Sequence, residues 1–187
     1  MTMRGIDLSE YNPVTSLQKA ALKNQVIVLK ATEGTSWVDP RFHQRWEELK
    51  KVRVKVRGAY HFADPKTDPV AQANHFVDTV QPTIYDRLIL DIETDGGPGT
   101  AKWAARFRRQ VHRRTVSPRR PLGKFTWTYS FSAYFAEFLP WLSAHGIRNW
   151  KAAYGSKPTG RYAAHQYTDK GRSAGVTGNV DSSFWSR

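Results

Sequence analysis

Short apolar runs alternate with helical patterns along the first two thirds of this chain. Residues 5–8, 26–31, 56–62, 88–93, 125–129, 149–154 and 162–167 form runs rich in β-branched or aromatic side chains. Runs of that length and composition predict buried strands. Asp39-Pro40 and Asp68-Pro69 predict helix starts, with Asp as N-cap and Pro in the first helical position. Phe42, Trp46 and Leu49 then follow at i, i+4 and i+7, one helical face. Ala73, Phe76, Val77 and Val80 do the same for a second helix, and Trp103, Phe107 and Val111 for a third that Thr100 would cap. Residues 14–23 and 132–144 complete the set, with Pro140 expected to shorten or kink the latter.

Five strand–helix units followed by strand-rich sequence predict an α/β fold, a parallel barrel whose last strands lack full helices. Barrels of this kind carry their chemistry at the C-terminal ends of the strands. The polar residues to weigh are therefore Asp7, Lys30, Glu33, Tyr60, His61, Asp91, Glu93, Tyr129 and Gln166, with Asp181 near the last turn.

Asp91 and Glu93 form the most informative pair. Positions i and i+2 of a strand share a face, with Cα atoms roughly 6–7 Å apart. Carboxylates held so closely do not titrate independently, and one should have a raised pKa. Glycosidases use such a pair, one group protonating the leaving oxygen while another supports the positive charge that develops on the sugar. A structural alternative is a strand-end pair satisfied by Lys30 or by loop amides. Asp7 and Asp181 join the cluster only if the barrel closes its first strand against its last. His61 alternates with Tyr60 and Phe62, so it faces away from the interior and is not a candidate base.

Composition narrows the chemistry. Among 187 residues there is no cysteine, which excludes disulfides, thiolate metal sites and a cysteine nucleophile. No spacing of His, Asp and Glu suggests a metal site, and no cofactor is expected. The N-terminus lacks an apolar leader, so synthesis as a soluble cytoplasmic chain without a signal peptide is expected. The formal charge of +13 favours polyanionic partners without choosing among them. Nothing resembles a helix-turn-helix, zinc finger or RNA-binding signature, and no specific nucleic acid is expected. Most aromatic residues between Phe125 and Trp150 should be core, with Tyr60, Tyr129 and Tyr154 at strand ends placed to line a groove.

Seven segments together resemble glycoside hydrolase family 25, the Chalaropsis-type lysozymes. They are Gly5-Ile6-Asp7-Leu8-Ser9, Leu29-Lys30-Ala31-Thr32-Glu33-Gly34, Gly58-Ala59-Tyr60-His61-Phe62, Leu90-Asp91-Ile92-Glu93, Trp150-Lys151-Ala152-Ala153-Tyr154, Gln166-Tyr167-Thr168 and the stretch 175–181. They run in the family's order across nearly the whole chain. The resemblance implies a single-domain (β/α)5(β)3 barrel, a modified TIM barrel, over residues 1–187 with no separate wall-binding module. It also implies cleavage of the β-1,4 bond between N-acetylmuramic acid and N-acetylglucosamine in bacterial peptidoglycan; nothing in the sequence suggests an obligate oligomer, and a monomer is expected. By position, Glu93 would be the general acid/base. Asp91 would be the nucleophile or the carboxylate that orients the substrate's acetamido group. Asp7 and Asp181 would support them. Tyr60, Phe62, Lys30, Glu33, Tyr129, Tyr154 and Gln166 would contact substrate. Two departures bear on the groove's sugar contacts: His165 stands where many relatives have Trp, and their Gln and Asp-Trp features are absent from residues 12–22.

No acidic residue occurs between Asp95 and Glu137, while Lys102, Arg106, Arg108, Arg109, Arg113, Arg114, Arg119, Arg120 and Lys124 do. A helix there would carry a basic face. Arg106, Arg108, Arg109, Arg113 and Arg114 are expected to attract anionic wall polymer or a membrane surface, in place of a binding module. The compact chain suggests a phage endolysin or a bacterial autolysin acting at the cell wall, the former released through a holin pore. A non-catalytic wall-binding protein on the same barrel would not need all four carboxylates. A chitinase is the nearest alternative among enzymes.

Overall fold

The computed structural model describes residues 2–94, 96–116, 126–137 and 148–186. In chain order the elements are β1 (Thr2–Leu8), α1 (Leu17–Ala21), β2 (Val26–Glu33), β3 (Trp37–Val38), α2 (Phe42–Lys51), β4 (Val56–Phe62), α3 (Pro69–Val80), β5 (Asp86–Asp91), α4 (Thr100–Thr115), β6 (Thr126–Phe131), α5 (Ser132–Glu137), β7 (Asn149–Ala152), β8 (Ala164–Gly171) and β9 (Val180–Ser186). Strands β1, β2, β4, β5, β6, β7 and β8 pair in parallel sequence, and β9 runs antiparallel between β8 and β1. The pairing of β1 with both β2 and β9 closes the sheet into an eight-stranded barrel, while β3 folds back outside it against β2.

Five of the barrel strands are each followed by a helix and the last three are not, as expected. The antiparallel β9 differs from the all-parallel expectation. A parallel crossover needs a dozen or more residues, whereas antiparallel neighbours can be joined tightly. Only residues 172–179 separate β8 from β9, so the chain reverses. The strand itself, Val180–Ser186, escapes the apolar pattern because its inward positions read Asp181, Ser183 and Trp185.

Strand alternation sorts the core into two layers. Outward residues such as Ile6, Ile27, Leu29, Ala59, Leu88 and Leu90 are buried together with Phe42, Trp46, Leu49, Phe76, Phe107 and Val111 on the helices. Each such side chain contributes about 1.5–3 kcal/mol. Inward residues form a separate cluster, in which Trp127, Trp150 and Trp185 fill the barrel beneath Ile89 and Tyr129. The Trp127 and Trp185 rings stack at 4.6 Å, and Trp150 lies 4.9 Å from Trp185. These rings leave the interior open only above them.

The helix signals hold in part. Asp68 caps α3 through Val70 and Ala71 amides at 2.9 and 2.8 Å, with Pro69 at the first position. Asp39 is not the cap of α2, which begins one residue after Arg41. Its buried carboxylate instead takes the amides of Glu10 and Arg41 at 2.7 and 2.8 Å, tying the loop after β1 to that after β3. Thr100 is the first residue of α4 rather than its cap, and its hydroxyl donates to the Gly97 carbonyl at 2.8 Å. The helix expected over 14–23 is only Leu17–Ala21, capped by Ser16, because Val14 pairs with Val176 as an isolated bridge. Of the helix expected over 132–144, residues 138–144 lie outside the described residues, as does Phe125.

His61 points outward, as alternation requires. It lies between Thr32 and Gln72, each 2.8 Å from a ring nitrogen, and stacks on Phe107 at 4.9 Å. Burial pushes its pKa down to about 3, so the ring stays neutral.

At the lower end of β1, a methyl group on Gly5 would meet Trp185 Nε1 at 2.8 Å and Val26 Cβ at 3.0 Å. Overpacking of this kind costs about 1–3 kcal/mol. Gly5→Ala is expected to lower unfolding stability by that amount in urea titrations. An unchanged midpoint would show that the tryptophan layer can yield.

Candidate active site

The open end of the barrel holds a cleft of about 290 Å³. It lies at the C-terminal ends of the parallel strands. Asp7 near the end of β1, Lys30 on β2, Tyr60 and Phe62 ending β4, Asp91 ending β5, Tyr129 on β6, Tyr154 after β7 and Gln166 on β8 all line it. Asp181 reaches the same end from the opposite direction, because it begins the antiparallel β9 and pairs directly with Asp7. Strand β5 stops at Asp91 rather than at Glu93, but the chain continues extended. Ile92 donates its amide to the Tyr129 carbonyl at 3.0 Å, and its own carbonyl accepts from the Ser130 hydroxyl. That clamp keeps Glu93 on the same side as Asp91.

Four carboxyl groups therefore share one cavity, and all are pushed toward the protonated form. Asp7 and Asp91 lie well above the ordinary aspartate value of 3.8. Burial is the main cause in both, reinforced by Asp181 in the first and by Glu93 and Asp7 in the second. Burial also raises Glu93, while hydrogen bonds from Asp91 and Tyr129 pull it back. Asp181 is raised to about 6, by burial and then by Asp169. The bond between Asp91 and Glu93 raises the first and lowers the second, so the two do not ionise independently. Asp91 is 6% exposed and its Oδ1 makes no hydrogen bond, whereas Glu93 is only half-buried.

Gln166 organises the opposite wall. Its Oε1 accepts from the Tyr129 and Tyr154 hydroxyls, both at 2.8 Å. Its Nε2 donates to Asp7, at 3.1 Å to Oδ2. Burial raises the pKa of Tyr60, Tyr129 and Tyr154, which keeps their hydroxyls neutral. Lys30 does not neutralise the central pair directly. Its ammonium pairs with Glu33 at 2.7 Å and lies 4.7 Å over Trp37 and 4.9 Å over Phe62. Glu33 is the one expected contact residue outside the cleft, and it lines an adjoining hollow instead. Sequence reasoning missed Tyr11, Phe131 and Trp150 as lining residues. Phe131 was legible as two positions beyond Tyr129, while Tyr11 sits in a loop without a pattern. His165 faces out of the barrel and its Nε2 lies 2.8 Å from the Ala153 carbonyl, so it does not alter the cleft. Among the described residues no His, Asp and Glu group has the geometry to hold a metal ion.

The basic helix is less uniform than its composition. Arg108 lies one turn beyond Ala104 on the buried face of α4, and its Nη2 donates to the Thr126 carbonyl at 3.3 Å. Burial lowers its pKa to about 10. It is therefore not part of a surface face, because the helix turns it toward β6. Arg114 pairs with Asp78 at 2.5 Å, and Arg106 stands 3.8 Å from Asp68. Arg109 and Arg113 remain exposed. Arg119, Arg120 and Lys124 lie outside the described residues.

Raised carboxyl pKa values make the folded state hold protons that the unfolded chain releases. Stability from the cluster is full below about pH 4 and is lost as pH rises through about 6, where Asp181 ionises. Asp7→Asn keeps an acceptor for Gln166 and removes one buried charge. It is expected to melt above the wild type at pH 8 and level with it at pH 4. A variant that gains nothing between those pH values would show that Asp7 is not held protonated.

Comparison with known proteins agrees with this geometry. The family model Glycosyl hydrolases family 25 matches residues 6–176. Protein YegX of Escherichia coli O6:H1 is 30% identical over 196 residues, covering 96% of this chain and 68% of that protein. The N,O-diacetylmuramidase of Chalaropsis sp is 35% identical over 80 residues, 41% of this chain and 38% of the other. The crystal structure of a lysozyme from Streptomyces coelicolor superposes with a TM-score of 0.85 at 25% identity, covering 98% of this chain and 91% of that one. From the first strand to the last loop of the barrel, the chain belongs to glycosyl hydrolase family 25 and is a glycoside hydrolase.

Proposed function

We propose that this enzyme is a muramidase that hydrolyses the β-1,4 bond between N-acetylmuramic acid and N-acetylglucosamine in bacterial peptidoglycan. The observation that carries the reading is the hydrogen-bonded Asp91–Glu93 pair at the mouth of a buried acidic cleft. The muramidase name of the Chalaropsis relative supports the choice of bond. The cell wall is then the place of action.

Asp91 and Glu93 interact as a hydrogen-bonded carboxyl pair, a closer pairing than an acid and a nucleophile on either side of a sugar. Acid and nucleophile of an ordinary retaining glycosidase stand about 5–5.5 Å apart. The contact therefore supports Asp91 as the group that orients the substrate's acetamido, with Glu93 as acid and base. The acetamido N–H needs Asp91 as a carboxylate acceptor and the leaving oxygen needs Glu93 as an acid, so in the reactive complex the proton of the pair is on Glu93. Glu93 then gives that proton to the glycosidic oxygen as the acetamido oxygen attacks the anomeric carbon and the C–O bond breaks. Water next attacks the anomeric carbon, Glu93 takes its proton, and the acetamido is released. Two inversions leave the configuration retained. Asp7, held by the Gln166 amide, and Asp181 line the cavity beside the pair. Tyr60, Phe62, Tyr129, Tyr154, Gln166 and Lys30 contact the sugar, the first of them through a hydroxyl that burial keeps protonated.

Glu93→Gln is expected to lower kcat about 10²–10⁴-fold on purified peptidoglycan, with new reducing ends in the wild type identified as muramic acid. Full activity in the variant would remove Glu93 from its role. Glucosamine ends alone would make the enzyme a glucosaminidase.

The second part of the proposal concerns adhesion. Arg106, Arg109 and Arg113 border a hollow of about 160 Å³ beside Val70 and Gln110. These three, with Arg114 at the edge, support attraction to anionic wall polymer or to the anionic bacterial membrane surface. Arg109→Glu with Arg113→Glu is expected to weaken sedimentation with whole cell walls at 0.1 M salt, where the Debye length is about 10 Å. Binding that ignores both the charge reversal and 1 M salt would end this part of the reading.

A further inference from the structure

A second hollow, of about 610 Å³, opens beside the catalytic cleft and shares Tyr11, Lys30 and Phe62 with it. Its character is opposite to that of the rest of the molecule. The chain carries a net +13, yet the hollow is bordered by Glu10, Glu33 and Asp64 with Lys30 as its one cation. The walls are firmly built. Gly34 takes a φ of 54°, which lets β3 fold back on β2 and sets Trp37 opposite Glu33. The Trp37 carbonyl lies 2.9 Å from His75 Nε2 on α3. Asp64 Oδ1 accepts from the Lys66 amide at 3.1 Å.

The enzyme's own side chain shows what the hollow accepts. Lys30 is an alkylammonium, and it packs over Trp37 and Phe62 while meeting Glu33 at 2.7 Å. Aromatic faces and a carboxylate that together receive an ammonium are thus already combined there, as cation–π geometry favours. One lysine leaves two further carboxylates, Glu10 and Asp64, on the rim. On the muramidase reading, the substrate brings such a group to this place. N-acetylmuramic acid bears a peptide, and the diamino acid of that peptide ends a methylene chain with an ammonium.

We propose that this hollow is a subsite for the stem peptide of peptidoglycan, holding the side-chain ammonium of its diamino acid among Glu10, Glu33 and Asp64 against the ring of Trp37. The inference rests on the muramidase reading and adds a specificity for charge that the cleft alone does not supply. The glycan would be cut most readily where the peptide amine is free, and less readily where that amine is acylated or cross-linked.

Three forms of peptidoglycan from one source test it: native, amine-acetylated, and peptide-free strands left by amidase digestion. Release of muramic acid reducing ends is the readout. Acetylation is expected to lower kcat/KM of the wild type about two- to fivefold, the effect of losing a partly exposed ion pair. Reductive dimethylation, which keeps the charge, should leave the rate near that of native material. Glu10→Gln with Asp64→Asn, and Glu10→Gln alone as the milder change, should cut native peptidoglycan more slowly, lose sensitivity to acetylation, and match the wild type on peptide-free strands. A wild type indifferent to acetylation, or variants that keep its full sensitivity, would overturn the subsite while leaving the muramidase reading intact. Failure of the wild type to release muramic acid ends from native peptidoglycan would overturn both.

Discussion

The backbone hydrogen bonds that seat β1 between β2 and β9 hold the site together. They convert an open sheet into a barrel, and they set Asp7 directly against Asp181. Without closure these residues sit at opposite edges of a sheet. With it, two carboxyls from the chain's ends face Asp91 and Glu93 across one cavity. The tryptophan layer below, made of Trp127, Trp150 and Trp185, excludes water from beneath and gives the cluster its low-dielectric floor. The raised pKa values of all four carboxyls follow from that combination of burial and like charge.

The same arrangement explains why stability and chemistry pull apart at this end of the fold. A buried carboxyl that must ionise is a liability to the folded state. Here the unpaired carboxyls gather at the mouth of the barrel, whereas the buried Asp86 at the start of β5 is matched by Arg57 at 2.5 Å. His61 shows the contrasting solution. It too is buried, but its two ring nitrogens are matched by Thr32 and Gln72, and it stays neutral and inert. Perturbed ionisation combined with an accessible cavity makes the carboxyls candidates for chemistry, whereas perturbation within a matched network points to a structural histidine.

The charge distribution has a similar division. The helical arginines are not one uniform basic face, because α4 turns Arg108 toward β6 and pairs Arg114 with Asp78. What remains exposed is a smaller patch around Arg109 and Arg113. An acidic hollow adjoins the cleft.

Much of this was legible in the amino-acid order. The inward and outward alternation of β2, β4 and β5 identified Lys30, Tyr60, Phe62, Asp91 and Glu93 as residues of one rim, since strand geometry forces period two. Asp68-Pro69 marked a helix start because the cap is a local hydrogen bond. Other features depended on partners far along the chain. Asp39 has the local signature of a cap, yet its carboxylate serves the amide of Glu10. Arg108 has the composition of a surface residue, yet helix phase and the neighbouring strand bury it. Asp181 lies at the start of its strand, where a rule about strand ends would pass over it. Only the reversal of β9 brings it to the rim, and that reversal depends on the short β8–β9 connection and on which neighbours complete the barrel. Local sequence determined the elements and the faces of their residues, because dihedral preference and side-chain period are properties of short segments. Closure, the burial that couples Asp91 and Glu93, and the division between cleft and adjoining hollow were decided by tertiary structure, because each requires segments distant in sequence to meet in a space from which water is excluded.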